Sequence, residues 1–250
     1  MKPSQQEYLS MIEKALKGYL PKSDGLDGKV SEAMAYSLLD GGKRIRPILL
    51  LEFCRVSGGS PEEALPFACA VEMIHTYSLI HDDLPCMDND DTRRGKPSNH
   101  IAFGEDIALL AGDALLTLAF DVMLREESAA SVGCKRALQS ASILAKAAGA
   151  AGMVGGQVID LQNEGRQVSM EVLKEMDDKK TGALIRAACL MGCVLAGAPE
   201  SQMRAAYVYA ECIGLAFQIV DDILDVTADS IELGKPTGSD LENQKSTYVS

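Results

Sequence analysis

A chain of 250 residues with 47% hydrophobic and 24% charged side chains has the balance of a globular protein able to bury a sizeable core, in one large domain or two small ones. Aromatic residues are scarce at 5% and Trp is absent, which favours packed helices over sheets and leaves room for little or no strand. A formal net charge of −12 excludes a nucleic-acid partner, which needs an extended basic face, but leaves room for local binding of a small anion.

The first stretch, 5 to 20, is amphipathic and charged and lacks the apolar core of a signal peptide. No segment reaches the uninterrupted apolar length of a membrane span, so the expectation is a cytoplasmic protein with no integral membrane segment. Helical periodicity then recurs at 28 to 40, 45 to 57, 62 to 84, 104 to 127, 134 to 148, 151 to 163, 169 to 196 and 201 to 226. Breaks fall at Pro21 with Gly25 and Gly28, at Gly58 and Gly59, at Gly95 with Pro97, at Gly165 and at Gly197. Ser60, Pro61 and Glu63 read as an N-cap, a proline at the first helical position and a capping box. No repeat or long linker interrupts the series, so one all-α domain is predicted. The helices between 104 and 226 are apolar around much of their circumference and belong inside a bundle, covered by more amphipathic helices or by a subunit partner. Seven cysteines without CxxC spacing read as buried, reduced thiols, and three histidines without a zinc pattern make a zinc site improbable.

Two acidic clusters on apolar helices carry the chemistry: Asp82, Asp83 and Asp88 in DDLPCMD, and Asp221, Asp222 and Asp225 in DDILD. At about 100° per residue, Asp221 and Asp225 lie roughly 40° apart on one face, where two like charges destabilise a helix unless a cation sits between them. A solvated face is the alternative, but Phe217, Ile219, Val220, Ile223 and Leu224 leave little polar surface for it. In the first cluster Pro85 should end the helix near Asp83, which allows Asp88 to fold back toward Asp82. Asn89, Asp90 and Asp91 read as a plain acidic loop. Carboxylates so placed suit hard divalent cations, and Mg²⁺ is the usual occupant where a phosphate ester also binds. Two basic knots supply the anion side: Arg93 and Arg94 after the first cluster, and Lys43 with Arg46, three apart on one face at a helix start.

These residues resemble the trans-isoprenyl diphosphate synthases, of the bacterial farnesyl diphosphate synthase type and close to the geranylgeranyl diphosphate synthases. The likeness runs through GGKRIRP at 41 to 47, HTYSLIHDDLPCMDNDDTRRGKPSNH at 75 to 100, LAGDALL at 110 to 116, GGQVIDL at 155 to 161, KKTGALI at 179 to 185, GLAFQIVDDILD at 214 to 225, GKPTGSD at 234 to 240 and KSTY at 245 to 248. It implies an all-α isoprenoid synthase bundle with a deep central cavity, usually a homodimer, and one domain over 1 to 250 without the further C-terminal helices usual in the family. It further implies three Mg²⁺ ions held by Asp82, Asp88 and Asp221, with Asp83, Asp222 and Asp225 bound directly or through water. Arg93, Lys180 and Lys235 would grip an allylic diphosphate, and Lys43, Arg46, His75 and Arg94 that of isopentenyl diphosphate. Thr181 and Gln218 would support the carbocation with their dipoles. Each has a duller reading: His75 as a core histidine, Lys180 as part of a solvated face, Gln218 as a bond to a neighbouring helix. Tyr77 and Ser78, about one turn before Asp82, would line the cavity floor, and an aromatic there would stop growth at farnesyl. The implied activity is condensation of isopentenyl diphosphate with dimethylallyl or geranyl diphosphate to give farnesyl diphosphate. The alternatives are a geranylgeranyl diphosphate synthase and a non-catalytic prenyl-diphosphate-binding subunit.

Overall fold

A computed structural model describes residues 4 to 22 and 25 to 227. Twelve α-helices, one π-helical turn and one hairpin of two two-residue strands are the regular elements of these residues. In chain order the helices are α1 (Gln5–Tyr19), α2 (Gly28–Leu38), α3 (Ile45–Val56) and α4 (Pro61–Asp82). Strands β1 (Thr92–Arg93) and β2 (Lys96–Pro97) follow, then α5 (Asn99–Phe103), α6 (Glu105–Leu124), α7 (Glu126–Val132) and α8 (Cys134–Ala148). The series closes with α9 (Met153–Asn163), α10 (Met170–Asp177), the π turn (Asp178–Gly182), α11 (Ala183–Ala196) and α12 (Glu200–Thr227).

The centre of the bundle is α4. Phe67, Ala68, Cys69, Ala70, Val71, Met73 and Ile74 are all fully enclosed, so this helix is buried around its whole circumference rather than along one stripe. Its main neighbours are α6 and α3, and α11 packs in turn on α3, α8 and α12. The close approach of α11 to α3 depends on Gly192, where any Cβ would collide with the Leu50 carbonyl. A smaller core of Ile185, Cys189, Cys193, Ala206 and Ala210 joins α11 to α12.

Several expectations are corrected by packing. Among the helices after 104, α11 is enclosed as expected, but Leu109, Leu110 and Leu124 on α6, Leu138 on α8, and Val208, Val220 and Ile223 on α12 are exposed. The predicted helix over 104 to 127 breaks at Arg125, and that over 169 to 196 is interrupted by the π turn. Ser60 does cap α4 by accepting from Glu63 N at 3.3 Å, but its hydroxyl donates to Glu62, so the capping box is incomplete there. A full box occurs instead at Ser4 and Glu7. Four cysteines are buried, as expected, and three (Cys86, Cys134, Cys212) are exposed. Burial pushes the Cys54 thiol up to about 11 and Cys189 up to about 12, so both stay protonated. By length and composition alone Glu105–Leu124 and the stretch Cys134–Asn163 are apolar enough to cross a membrane, longer runs than the sequence reading allowed; the core helix of a water-soluble protein passes the same test.

Candidate active site

The carboxyl end of α4 stops where Pro85 predicts. Asp82 is its last residue and Asp83 its C-cap. The chain then turns tightly, with Met87 N donating to Leu84 O at 2.8 Å and Asn89, in the left-handed region, donating to the same carbonyl at 3.2 Å. Asp88 N donates to Asp82 O at 2.9 Å, which brings the backbones of the two residues together. One Asp88 oxygen, Oδ1, is buried without a hydrogen-bond partner. An anionic oxygen in that position is costly unless a cation arrives, so it suits a hard metal ion.

Asp82 is not isolated. Gln157 on α9 donates to it, and three residues along the same face Asp160 pairs with Lys180 at 2.5 Å. Burial alone would lower the Lys180 pKa, but the nearby charges of Asp82, Asp160 and Asp88 outweigh it and hold the ammonium above its ordinary value. Lys180 therefore spans α9 and the first acidic cluster as a firmly charged group. It rides on the π turn, which presses so closely on α9 that a Cβ at Gly156 would strike the Lys180 backbone nitrogen. Thr181, half-buried, sits in the same turn. Sequence reasoning assigned no role to Gln157 and Asp160. The available signal was two polar residues at i and i+3 among Val158, Ile159 and Leu161.

The second cluster lies on α12, which packs on the π turn with Gly214 against Gly182. Asp222 is buried at 5% exposure and accepts from Gln218 at 3.3 Å, while Asp221 is half-buried. Asp225 belongs to this helix, but its side chain lies outside the described residues, as does Lys235. The π turn thus links the two acidic walls. Among the described residues no three His, Cys, Asp or Glu side chains converge as a ready metal cage. Instead the carboxylates are held by amides and a guanidinium, Asp82 by Gln157, Asp222 by Gln218 and Asp83 by Arg93.

Asp83 and Arg93 form a fork, with Nε of Arg93 3.0 Å from Oδ1 and 3.3 Å from Oδ2 and a further bond from Nη2. Burial raises the Asp83 pKa and the guanidinium opposes it; for Arg93 burial lowers the value and Asp83 more than restores it. Asp83 therefore faces the hairpin that carries Arg93. The basic knot at 41 to 47 also divides. Arg44 is buried in the left-handed conformation (φ 46°) and spends its guanidinium on Glu13 at 2.8 Å, Glu72 at 2.7 Å and the Leu38 carbonyl at 2.7 Å. Arg46 has a buried Nε with no partner, and burial pushes its pKa down although Glu72 opposes this. Lys43 is exposed.

His75 belongs to this same region. Burial first, then Arg46, Arg94, Arg44 and Arg93, hold its imidazole well below the usual histidine value, so it is neutral at pH 7. The unfolded chain takes up a proton near pH 6.5 and the fold refuses it, so stability should fall as pH drops below about 6.5. His75→Gln should flatten this slope, read as a smaller loss of Tm between pH 7 and pH 5 than in the parent.

Tyr77 is 8% exposed and meets the His81 ring edge-on at 5.6 Å, while His81 bonds the Leu109 carbonyl of α6 at 3.0 Å. Ser78 turns back to its own helix and donates to His75 O at 2.8 Å. Tyr77 is thus buried on α4 about one turn before the first cluster, against a histidine that ties α4 to α6.

The chain has relatives in both sequence and fold. Residues 27 to 250 match the family model described as polyprenyl synthetase. The chain is 50% identical over 241 residues to the large subunit 1 of heterodimeric geranylgeranyl pyrophosphate synthase of Arabidopsis thaliana, covering 95% of this chain and 64% of that protein. It is 48% identical to farnesyl diphosphate synthase of Geobacillus stearothermophilus, covering 97% of this chain and 81% of that one. Its fold superimposes with a TM-score of 0.87 on a Helicobacter pylori geranyltransferase solved with magnesium and isoprenyl diphosphate, at 32% identity, over 100% of this chain and 84% of that chain. With a match of this extent in sequence and in three dimensions, the chain belongs to the polyprenyl synthetase family.

Proposed function

We propose that this chain is a trans-prenyltransferase that joins isopentenyl diphosphate to dimethylallyl or geranyl diphosphate, with (E,E)-farnesyl diphosphate as product. The observation that carries the proposal is Arg46, whose Nε is buried without a hydrogen-bond partner close to a neutral His75 that also feels Arg94 and Arg44. A buried donor left without an acceptor is costly, and an incoming diphosphate relieves it. Lys180, held charged by Asp82 and Asp160, stands at the acidic side, where the second diphosphate would leave.

The residues divide the work as follows. Arg46, His75, Arg94 and Lys43 bind and orient the isopentenyl diphosphate, so that its double bond faces the allylic carbon. His75, being neutral, can accept or donate a hydrogen bond without adding to the charge there. Lys180 and Arg93 stabilise the negative charge that grows on the leaving diphosphate as the allylic C–O bond breaks. Thr181 and Gln218 turn their dipoles toward the carbocation. The alkene attacks, and the proton then lost passes to the departing diphosphate. Asp82 and Asp88 on one side and Asp221 and Asp222 on the other would hold Mg²⁺, which would supply further Lewis-acid stabilisation of that leaving group.

Tyr77 is the proposed chain-length stop. Tyr77→Ala should shift the product from farnesyl toward geranylgeranyl or longer, read by chromatography of the dephosphorylated alcohols; an unchanged farnesyl product would remove Tyr77 from that role. A geranylgeranyl product is the second reading, supported by relatives of that name at about the same identity as the farnesyl synthases. The exposed leucines of α6 and Leu138 of α8 support a homodimer through that side of the bundle. The deciding experiment incubates the purified chain with isopentenyl diphosphate and each allylic starter, with and without Mg²⁺, and measures product length. Absence of any chain growth with every starter would overturn the proposal.

A further inference from the structure

The two basic groups are joined to each other by the end of α2. Arg94 Nη1 donates to the Gly41 carbonyl at 2.5 Å, and its guanidinium lies against Gly42, where a Cβ would come within 2.9 Å of it. Arg94 itself is in the left-handed region, with φ 54°, a conformation that a non-glycine residue holds only when its surroundings enforce it. The enforcement comes from α2. Tyr36 OH donates to the Pro97 carbonyl at 2.8 Å, Asp40 pairs with Lys96, and Asn99, just beyond the hairpin, donates to Ala33 O and Ser37 Oγ at 2.8 Å each.

Electrostatics make this bracing necessary. Burial first, then Arg44 and Arg93, push the Arg94 pKa down, and Glu72 and Asp40 oppose this. Glu72 is already bonded to Arg44. The Lys96 side chain is 58% exposed and its pair with Asp40 is worth little in itself, whereas Asp40 is only 11% exposed and so acts in a poorly screened setting. Asp40 also acts as a counter-charge to Arg94.

We propose that Tyr36 and Asp40 are positioning residues that register the 92–97 hairpin against the 41–46 loop and so set the affinity of the isopentenyl diphosphate site. The inference rests on the function proposed above. The experiment compares the parent protein with Tyr36→Phe, Asp40→Asn and the conservative Asp40→Glu. Steady-state kinetics for both substrates, Tm, and calorimetric binding of isopentenyl diphosphate are measured for each. Tyr36→Phe and Asp40→Asn should raise KM and Kd for isopentenyl diphosphate by about 3- to 10-fold with kcat and the allylic KM within about twofold, and Asp40→Glu should restore most of the loss. Unchanged isopentenyl diphosphate affinity in both variants, or a fall in Tm and kcat with both KM values unmoved, would overturn the inference while leaving the activity intact. A parent that binds isopentenyl diphosphate without turnover would overturn the proposed activity alone, with the Kd ratios still deciding the role of α2. A parent that does not bind it would overturn both.

Discussion

Asp82→Ala should lower kcat by about 10³-fold, the largest effect expected of any single substitution here, without unfolding the bundle. Asp82 is a junction of three contacts. It accepts from Gln157, its charge is the largest of those that keep Lys180 protonated against burial, and its backbone carbonyl takes Asp88 back into the cluster. Truncation keeps the backbone bond but removes the other two, leaving Lys180 to Asp160 and Asp88. It also removes a carboxylate proposed to hold Mg²⁺. Because Asp82 is only half-buried and ends its helix, stability should change by no more than about 1 kcal/mol. Asp82→Asn separates the causes: it retains a side-chain oxygen for Gln157 but not the charge, so a loss close to that of alanine assigns the effect to charge. Turnover surviving undiminished in both would take the first cluster out of the mechanism.

How far the sequence reaches can be seen at particular residues. The end of α4 at Asp82 and the return of Asp88 follow from Pro85 because a missing N–H and a ring clash act locally, whatever surrounds them. The convergence of His75 with Arg46 and Arg94 was read through the family likeness, and no local rule would have placed a residue of α4 beside the loop at 41 to 46. Spacing and the family likeness singled out Arg46, but the fate of Arg44 was not legible. Both are arginines in one short basic run, and what separates them is a left-handed backbone at Arg44 that turns one toward Glu13 and Glu72 and leaves the other unpaired. The same holds for the π turn at 178 to 182. Helical periodicity runs smoothly across it, and only its packing between α9 and α12, through Gly156 and Gly214, shows the altered winding. That α6 is half-exposed while α4 is central is a property of the assembled bundle, because both helices are apolar around much of their circumference.

Arg46→Met should move stability and function in opposite directions. In the folded chain the Arg46 Nε is buried with no acceptor, and burial pushes its pKa down although Glu72 opposes this. Each of these raises the energy of the ligand-free fold, and methionine fills similar space without the polar group. The substitution should therefore stabilise the free protein by about 1 to 3 kcal/mol, seen as a higher denaturation midpoint with an unchanged m-value. The same change deletes the donors proposed for the isopentenyl diphosphate, so kcat/KM for that substrate should fall by about 10²-fold while the KM for the allylic partner stays within a few-fold. Arg44→Met offers the contrast, since its guanidinium satisfies two carboxylates and a carbonyl; its removal leaves Glu72 buried and unpaired and should destabilise by about 3 to 5 kcal/mol. A stabilised Arg46→Met protein that still bound isopentenyl diphosphate as tightly as the parent would break the link between the unpaired guanidinium and the substrate. A destabilised one would show that Arg46 finds partners within the chain, and the strain attributed to this site would have to be placed elsewhere.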